Sequence, residues 1–225
     1  MITSQRQPGP RALCGGASQA CVAAEGGAPF GNHLAFGLGA QAGNQQYEPL
    51  AASVQAALHA AVADQAPLDP SFQRSPERAR WLAEMSQRLA KRIPDETARS
   101  ELLRAVHYEA TRAGLDPQLV LGLIQVESGF KKYALSTAGA RGYMQVMPFW
   151  TKLIGTPDSN LFHMRTNLRF GCTILRHYLD IEKGDLFRAL GRYNGSLGRA
   201  EYPNLVRGAW ENNWSYPSYR LAQNP

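Results

Sequence analysis

The sequence predicts a mostly α-helical protein, and three observations lead to that fold class. Apolar residues recur at helical spacing from Ser71 onward, helix-capping residues precede the apolar runs, and no long run alternates between apolar and polar residues. The composition can supply a core of ordinary size, because 44% of the residues are hydrophobic and 19% are charged. A chain of 225 residues has room for one domain with an extension or for two small domains.

The start of the chain differs in composition from the rest. Residues 1–70 are rich in Gly, Ala and Gln and contain few aromatic residues. Such a segment buries too little apolar surface to offset the entropy of ordering it, so we expect a low-complexity extension that is disordered or weakly ordered. Within it, the Ala-rich stretch 50–66 resembles either a degraded export signal or an amphipathic helix. We expect residues 71–217 to form the folded domain and residues 218–225 a short tail.

The positive charge belongs to the expected domain. Residues 1–70 carry two basic and four acidic residues, whereas the rest of the chain carries 22 basic and 14 acidic residues. A basic surface favours a polyanionic partner. Nucleic acid, an anionic membrane face and a carboxylate-bearing cell-wall polymer all satisfy that requirement, so charge alone does not choose among them.

Two helices are predicted at the start of the domain. Ser75 and Pro76 form a good helix start, and the run of apolar residues at helical spacing that follows is ended by Pro94. A second helix begins near Asp95 and is closed by Gly114. The apolar residues of the first helix are Trp81, Leu82, Met85, Leu89 and Ile93.

The third predicted helix ends at an acidic residue. It begins at Asp116, and residues 119–126 are almost entirely apolar, which is typical of a helix buried in the middle of a domain. Glu127 follows at its C-terminal end. Burial and the negative end of the helix dipole both disfavour the ionised carboxyl, so both raise the expected pKa of Glu127. Such a carboxyl can act as a general acid, although most single glutamates are solvated groups at the protein surface.

The second half of the domain is predicted to contain two more helices between long loops. Between Leu168 and Leu179, apolar residues recur at helical spacing, which predicts a helix that ends before Gly184. Residues 185–193 predict another helix. Residues 131–150 and 194–217 are predicted as loops that can carry function. The aromatic residues expected to complete the core at the end of the domain are Trp210, Trp214 and Tyr216.

Three motifs occur in order along this domain. Residues 127–130 read Glu-Ser-Gly-Phe, and residues 138–148 read Ala-Gly-Ala-Arg-Gly-Tyr-Met-Gln-Val-Met-Pro. Residues 192–196 read Arg-Tyr-Asn-Gly-Ser. Together with Ser136, these motifs resemble the catalytic core of the soluble-type lytic murein transglycosylases, the SLT-domain family. The resemblance extends over roughly residues 100 to 215, and it implies a lysozyme-like, mostly α catalytic domain.

The resemblance also implies a reaction. Members of this family cleave the β-1,4 bond between N-acetylmuramic acid and N-acetylglucosamine in peptidoglycan without adding water, and they leave a 1,6-anhydro end. Glu127 matches the single carboxyl that serves first as general acid and then as general base. In agreement, the next acidic residue along the chain after Glu127 is Asp158. The alternatives are a lysozyme-like hydrolase and a non-catalytic wall-binding module.

The same resemblance assigns further site residues. Ser136 and Gln145 match positions that hydrogen-bond the sugars, and Met147 matches one that contacts a sugar face. Tyr193 and Asn194 match positions that face the catalytic carboxyl across the cleft. Loop capping by Ser136, core packing of Met147 and an ordinary helix end at Tyr193 and Asn194 are the structural alternatives.

The sequence gives little support for a metal, a cofactor, a nucleic-acid partner or a membrane-spanning segment. The three cysteines and five histidines show no metal-ligand spacing, so we expect no metal. We also expect no cofactor, because no phosphate-binding glycine-rich loop precedes a helix. No nucleic-acid motif occurs, and no apolar run approaches the length of a membrane helix. The expected partner is the peptidoglycan glycan strand, and the compartment implied by the family is the bacterial periplasm or cell envelope, although no clear signal peptide is evident.

Overall fold

The computed structural model describes residues 45–63, 75–156 and 158–216. Helices dominate these ranges, so the predicted fold class, mostly α, is confirmed. None of these helices combines the length and the apolar character needed to cross a membrane. The helices are α1 (Ala52–Ala63), α2 (Pro76–Leu89), α3 (Glu96–Arg112), α4 (Pro117–Ser128), α5 (Phe149–Ile154), α6 (Met164–Ile181), α7 (Leu186–Asn194) and α8 (Glu201–Ala209), and a π-helical turn (Trp210–Trp214) follows α8.

Capping side chains define several helix starts, as the sequence predicts. Each of these side chains accepts a hydrogen bond from a backbone N–H of the first turn, which would otherwise lack a partner. The N-cap residues with such a bond are Ser75, Asp95, Asp116 and Asp185.

Helix α4 lies at the centre of the domain. It packs against α3, α8 and the π-helical turn, and all its residues from Pro117 to Ile124 are buried. A Cβ atom at Gly122 would lie 2.9 Å from the backbone nitrogen of Trp210, so only glycine permits this close approach. Gln125 then accepts a hydrogen bond from Nε1 of Trp214 at 2.9 Å. These contacts hold the C-terminal half of α4 against the π-helical turn that follows α8.

Residues 45–63, which the composition assigned to a disordered or weakly ordered extension, contain α1, in agreement with the helical alternative for the Ala-rich stretch 50–66. Helix α1 packs against α5 and α6. Gln55 donates to the carbonyl of Leu153 at 2.7 Å, and the ring Nδ1 of His59 lies 3.0 Å from the carbonyl oxygen of Ile154. The surface that orders this segment is supplied by the later domain, so the segment's own composition does not reveal it. The rest of the expected extension and the tail 218–225 lie outside the described residues.

The structure also corrects the long loop predicted over residues 194–217. Helix α8 and the π-helical turn occupy much of that segment. Pro203 obscures the helix in the sequence, yet it lies in the first turn of α8, where the missing N–H removes no helical hydrogen bond. The expectation that Trp214 completes the core is confirmed, because its side chain is only 1% exposed.

A buried ion cluster joins α3 to α6. The carboxylate of Glu109, which is fully buried, accepts hydrogen bonds from Nη2 and Nε of Arg169 at 3.0 and 3.3 Å. Arg112 and Arg165 lie 3.2 and 3.6 Å from the same carboxylate. A buried charge is tolerated only when it is paired in this way, so the cluster fixes how the two helices dock.

His107 makes the stability of the domain depend on pH. Burial, and secondarily the charge of Arg78, lower the pKa of His107 from its ordinary value of 6.5 to about 4. The unfolded chain therefore binds a proton at this histidine before the folded chain does. As the pH falls from 6.5 towards 4, we expect the free energy of unfolding to fall by up to about 3 kcal/mol from this group alone.

Urea unfolding at pH 7 and at pH 4.5 measures this effect. The stability lost between the two pH values should be clearly smaller in His107→Gln than in the wild type. Equal losses in the two proteins would show that His107 does not titrate in this way.

Candidate active site

Glu127 occupies the end of α4, where the sequence placed it. Its side chain is buried, with 5% of the residue exposed, so it is not a solvated group at a frayed helix end. The following residues end the helix, because Gly129 adopts the left-handed conformation with a φ of 57°. The hydroxyl of Tyr202, on α8, donates a hydrogen bond to Oε1 of Glu127 at 2.5 Å.

Two buried tyrosines lie in the electrostatic field of Glu127. Burial first, and then the charge of Glu127 and the hydrogen bond to it, raise the pKa of Tyr202 well above its ordinary value of 10.0. Burial and the charge of Glu127 likewise raise the pKa of Tyr193. Both phenols therefore remain protonated at neutral pH and act as hydrogen-bond donors.

The second motif forms a tight turn. Arg141 and Val146 pair through reciprocal backbone hydrogen bonds of 3.0 and 3.1 Å, which close the four residues between them into a loop. Gly142 has a φ of 74°, a conformation that glycine adopts without strain. Gln145 also lies in the left-handed region, with a φ of 48°, which is uncommon for a residue with a side chain. We call residues 141–147 the motif turn.

Side chains from three helices hold the backbone of the motif turn. Ser128, on α4, donates to the carbonyl of Tyr143 at 2.7 Å. Asn167, on α6, accepts from the nitrogen of Met144 at 2.8 Å and donates to the carbonyl of Arg141 at 2.7 Å.

The third helix that contributes is α7. The hydroxyl of Tyr193 donates to the carbonyl of Met144 at 2.8 Å. Together with the bonds from Ser128 and Asn167, this contact fixes the motif turn beside the end of α4.

The predicted sugar-binding residues lie on or beside this turn. The amide nitrogen of Gln145 donates to the carbonyls of Ala134 and Gly142 at 3.1 and 3.0 Å, so that nitrogen is engaged inside the protein. The hydroxyl of Ser136 accepts from the backbone nitrogen of Ala140 at 3.0 Å, which is the loop-capping role. Met147 is half-buried and packs against the core.

The third motif places Tyr193 in the electrostatic field of Glu127. Tyr193 is fully buried and makes its hydrogen bond to the motif turn, while Tyr202 makes the direct bond to Glu127. Asn194 is the last residue of α7 and is 9% exposed. Tyr202 is the site residue that sequence reasoning missed, because it lies in the segment predicted as a loop. The helical spacing of Tyr202, Val206 and Ala209 is the signal that could have found it.

A basic and aromatic rim borders the motif turn. Tyr133 is 70% exposed, and its ring lies 6.1 Å from that of Phe162, measured between centroids. Lys132 lies over the ring of Tyr133 at 5.2 Å, and Arg141 lies over the ring of Phe162 at 5.7 Å. This rim can therefore offer apolar ring faces and positive charge to a ligand.

A metal site is not evident in the same region. In the part of the chain that the structure describes, no three His, Cys, Asp or Glu side chains are grouped as metal ligands. The site consists of a buried carboxyl, two protonated phenols and a rigid turn, which together can move a proton and orient a polar ligand.

A comparison with protein families identifies the domain that holds this arrangement. Residues 104–209 match the family model described as the transglycosylase SLT domain. The matched range includes Glu127, the motif turn, Tyr193 and Tyr202. The resemblance inferred from the motifs is confirmed, because this part of the chain matches that family model.

Two curated relatives share sequence with the chain. It is 38% identical over 88 residues to the protein named Transglycosylase of Enterobacteria phage PRD1, an alignment that covers 39% of this chain and 32% of the phage protein. It is 37% identical over 112 residues to Membrane-bound lytic murein transglycosylase C of Histophilus somni (strain 2336), covering 43% of this chain and 31% of the relative. The chain thus spans about a third of the length of these relatives.

The solved structures to which the chain shows similarity include two lytic transglycosylases. An inactive variant of lytic transglycosylase Slt from Pseudomonas aeruginosa is 18% identical, with a TM-score of 0.39 and coverage of 79% of this chain and 36% of that one. The 70-kDa soluble lytic transglycosylase SLT70 from Escherichia coli is 17% identical, with a TM-score of 0.34 and coverage of 70% of this chain and 35% of that one.

Proposed function

We propose that this protein is a peptidoglycan lytic transglycosylase that uses Glu127 as its single general acid and base. The observation that carries the proposal is the buried Glu127 carboxyl, hydrogen-bonded by Tyr202 and set beside the motif turn of an SLT domain. The names of the curated relatives, a transglycosylase and a lytic murein transglycosylase, support the same substrate and reaction class.

The surroundings of Glu127 act on its proton in opposite directions. Burial and the negative end of the α4 dipole favour the neutral acid. The hydrogen bond donated by the Tyr202 hydroxyl favours the ionised carboxylate. A carboxyl under both influences can give up a proton and take one back within a single catalytic cycle.

The proposed reaction needs one carboxyl because the substrate supplies its own nucleophile. Glu127 gives its proton to the glycosidic oxygen as the bond from that oxygen to the muramoyl C1 breaks, and N-acetylglucosamine leaves with a free hydroxyl. The C6 hydroxyl of the same muramoyl residue bonds to C1 and returns its proton to Glu127. No water enters, and the product carries a 1,6-anhydro ring.

The distribution of buried carboxyls supports this reading. Glycosidases that use water or a covalent intermediate place two carboxyl groups about 5 to 10 Å apart across the scissile bond. Among the described residues, Glu109 and Glu127 are the buried acids, and Glu109 is engaged by Arg169 and two other arginines. Glu127 is therefore the acid available for the reaction.

Four further residues are proposed to contact the glycan. Because the amide nitrogen of Gln145 is engaged in the loop, its amide oxygen is the atom that would accept a hydrogen bond from a sugar. Ser136 and Asn194 would add polar contacts, and the half-buried Met147 an apolar contact to a sugar face. Tyr193, in contrast, acts through the motif turn rather than on the sugar directly.

The residues at the rim of the site are chemically complementary to the proposed substrate, peptidoglycan. Peptidoglycan combines sugar rings with peptide carboxylates, and the exposed Tyr133 and the cations Lys132 and Arg141 offer complementary partners for both. Since this polymer surrounds the bacterial cell, we propose that the protein acts in the periplasm or cell envelope.

Digestion of purified sacculi tests the proposed function. The full chain should release soluble glycan fragments whose muramoyl ends are 1,6-anhydro rings, as identified by mass spectrometry. Fragments with reducing ends would contradict the transglycosylase assignment and indicate a hydrolase. Tight binding to sacculi without any release would indicate a wall-binding module.

Tyr202→Phe tests the hydrogen bond to the proposed catalytic acid. Removing the hydroxyl leaves a buried carboxyl oxygen without its donor, and a hydrogen bond to a charged group contributes about 1.5 to 3 kcal/mol. We expect the rate of fragment release to fall about tenfold to hundredfold. The control Tyr108→Phe removes a hydroxyl from α3, outside the site, and should keep the wild-type rate. A Tyr202→Phe protein with the wild-type rate would exclude a catalytic contribution from this bond.

A further inference from the structure

The segment that precedes α1 reaches the motif turn. Residues 45–50, which we call the N-terminal segment, lie outside the range that matches the SLT family model. Gln45 is only 3% exposed although it lies at the start of the described residues. Such burial of a polar side chain requires hydrogen-bond partners, and these partners are in the motif turn.

The amide of Gln45 pairs with two backbone groups of that turn. Its nitrogen donates to the carbonyl of Gln145 at 3.2 Å, and its oxygen accepts from the nitrogen of Met147 at 3.0 Å. One side chain thus satisfies a donor and an acceptor on the two residues that flank Val146. This is the pairing that a neighbouring strand would offer, supplied here from 100 residues away.

Gln45 completes the support of the motif turn. Ser128, Asn167 and Tyr193 hold its backbone from residue 141 to residue 144. Gln45 holds the remaining part, which bears Gln145 and Met147, two of the four side chains proposed to contact the glycan. Gln145 adopts a left-handed conformation there, and a residue with a side chain keeps that conformation only when its surroundings enforce it.

Two further contacts attach the N-terminal segment to α5 and to α7. Tyr47 packs edge-on against Phe149, with ring centroids 5.8 Å apart. Glu48 forms an ion pair of 3.1 Å with Arg192, the residue before Tyr193. Gln45 is therefore fixed relative to both α5 and α7, so it can position the motif turn rather than follow it.

We propose that Gln45 is a positioning residue that sets the backbone of Gln145 and Met147 for substrate contact. This inference rests on the proposed function for its catalytic consequence. Gln45 acts through the motif turn and not on the sugar. It makes the N-terminal segment part of the working site, although that segment lies outside the SLT domain match.

Gln45→Ala in the full chain tests the proposal through two readouts. Hydrogen exchange of the Met147 amide should become faster, because its acceptor is removed. The kcat/KM for soluble peptidoglycan strands should fall about tenfold to hundredfold, as expected when substrate-contacting groups are displaced. Unchanged Met147 exchange, or wild-type kcat/KM, would overturn the proposal.

Two controls separate positioning from general stability. Gln46→Ala changes the exposed neighbour and should alter neither readout. Gln55→Ala removes a similar amide hydrogen bond, from α1 to the carbonyl of Leu153, and should lower the melting temperature while keeping kcat/KM. A loss of kcat/KM in Gln55→Ala equal to that in Gln45→Ala would reduce Gln45 to a structural role.

The same measurements distinguish this proposal from the proposed function. If the wild type cleaves no peptidoglycan, the proposed function fails. Met147 exchange then still decides whether Gln45 holds the motif turn. If the Met147 amide exchanges faster in Gln45→Ala but not in the two control variants, the contact between Gln45 and the motif turn is supported. Unchanged exchange in Gln45→Ala would exclude that contact.

Discussion

Glu127→Gln should abolish the release of glycan fragments from sacculi, with a loss of about a thousandfold or more. A general acid–base group contributes roughly 10²- to 10⁴-fold to a rate, and here one group is proposed to serve both steps. The amide oxygen of the new side chain can still accept the hydrogen bond from Tyr202, so the site should keep its shape. The amide has no proton to give to the leaving oxygen.

The rate of fragment release and the melting temperature should be measured together for this variant. The melting temperature should stay at or above that of the wild type, because an uncharged amide is easier to bury than a carboxylate. Glu201→Gln is the matched control, since Glu201 is an exposed glutamate beside Tyr202 on α8. It should keep full activity. A Glu127→Gln protein that retains activity would remove Glu127 from the mechanism.

Glu109→Gln should cause the largest loss of stability among the variants considered. Arg169 is only 6% exposed, and the carboxylate of Glu109 is its partner through two hydrogen bonds. Breaking one side of a buried ion pair leaves the other charge buried, at a cost of about 3 to 5 kcal/mol. That is a large part of the roughly 5 to 15 kcal/mol that stabilises a typical domain.

Urea unfolding, with the midpoint and the slope both recorded, measures this loss. The control Asp180→Asn breaks the exposed pair between Arg176 and Asp180 on α6 and should cost less than about 1 kcal/mol. Similar losses for the two variants would show that the buried cluster contributes no more than a surface pair. The rate per folded molecule of Glu109→Gln should stay close to that of the wild type, since Glu109 takes no part in the proposed reaction.

Local sequence signals were sufficient to predict the helices at the centre of the fold and the position of the proposed catalytic acid. The caps at Asp95 and Asp116 and the apolar run of residues 119–126 define α3 and α4, and the run ends at Glu127. Burial of this carboxyl follows directly from the helix that precedes it. The aromatic residue Trp214 was likewise recognisable as part of the core.

Contacts between distant parts of the chain could not be predicted in the same way. Tyr202 was missed because Pro203 made the start of α8 look like a loop. Gln45 lies in a segment whose composition indicates weak order, and its partners in the motif turn are 100 residues away. The family pattern placed the Tyr193 hydroxyl near the catalytic carboxyl, but the hydrogen bond from that hydroxyl to the carbonyl of Met144 depends on how α7 packs against the motif turn.

The origin of the oxygen at the new muramoyl end tests the central claim most directly. Sacculi should be digested in water enriched in the heavy oxygen isotope, and the released fragments weighed by mass spectrometry. If Glu127 returns a proton taken from the substrate's own C6 hydroxyl, the muramoyl ends will contain no heavy oxygen and will be lighter than a reducing end by one water. Heavy oxygen at C1 would mean that solvent attacks the sugar, and the single-carboxyl mechanism would then be contradicted.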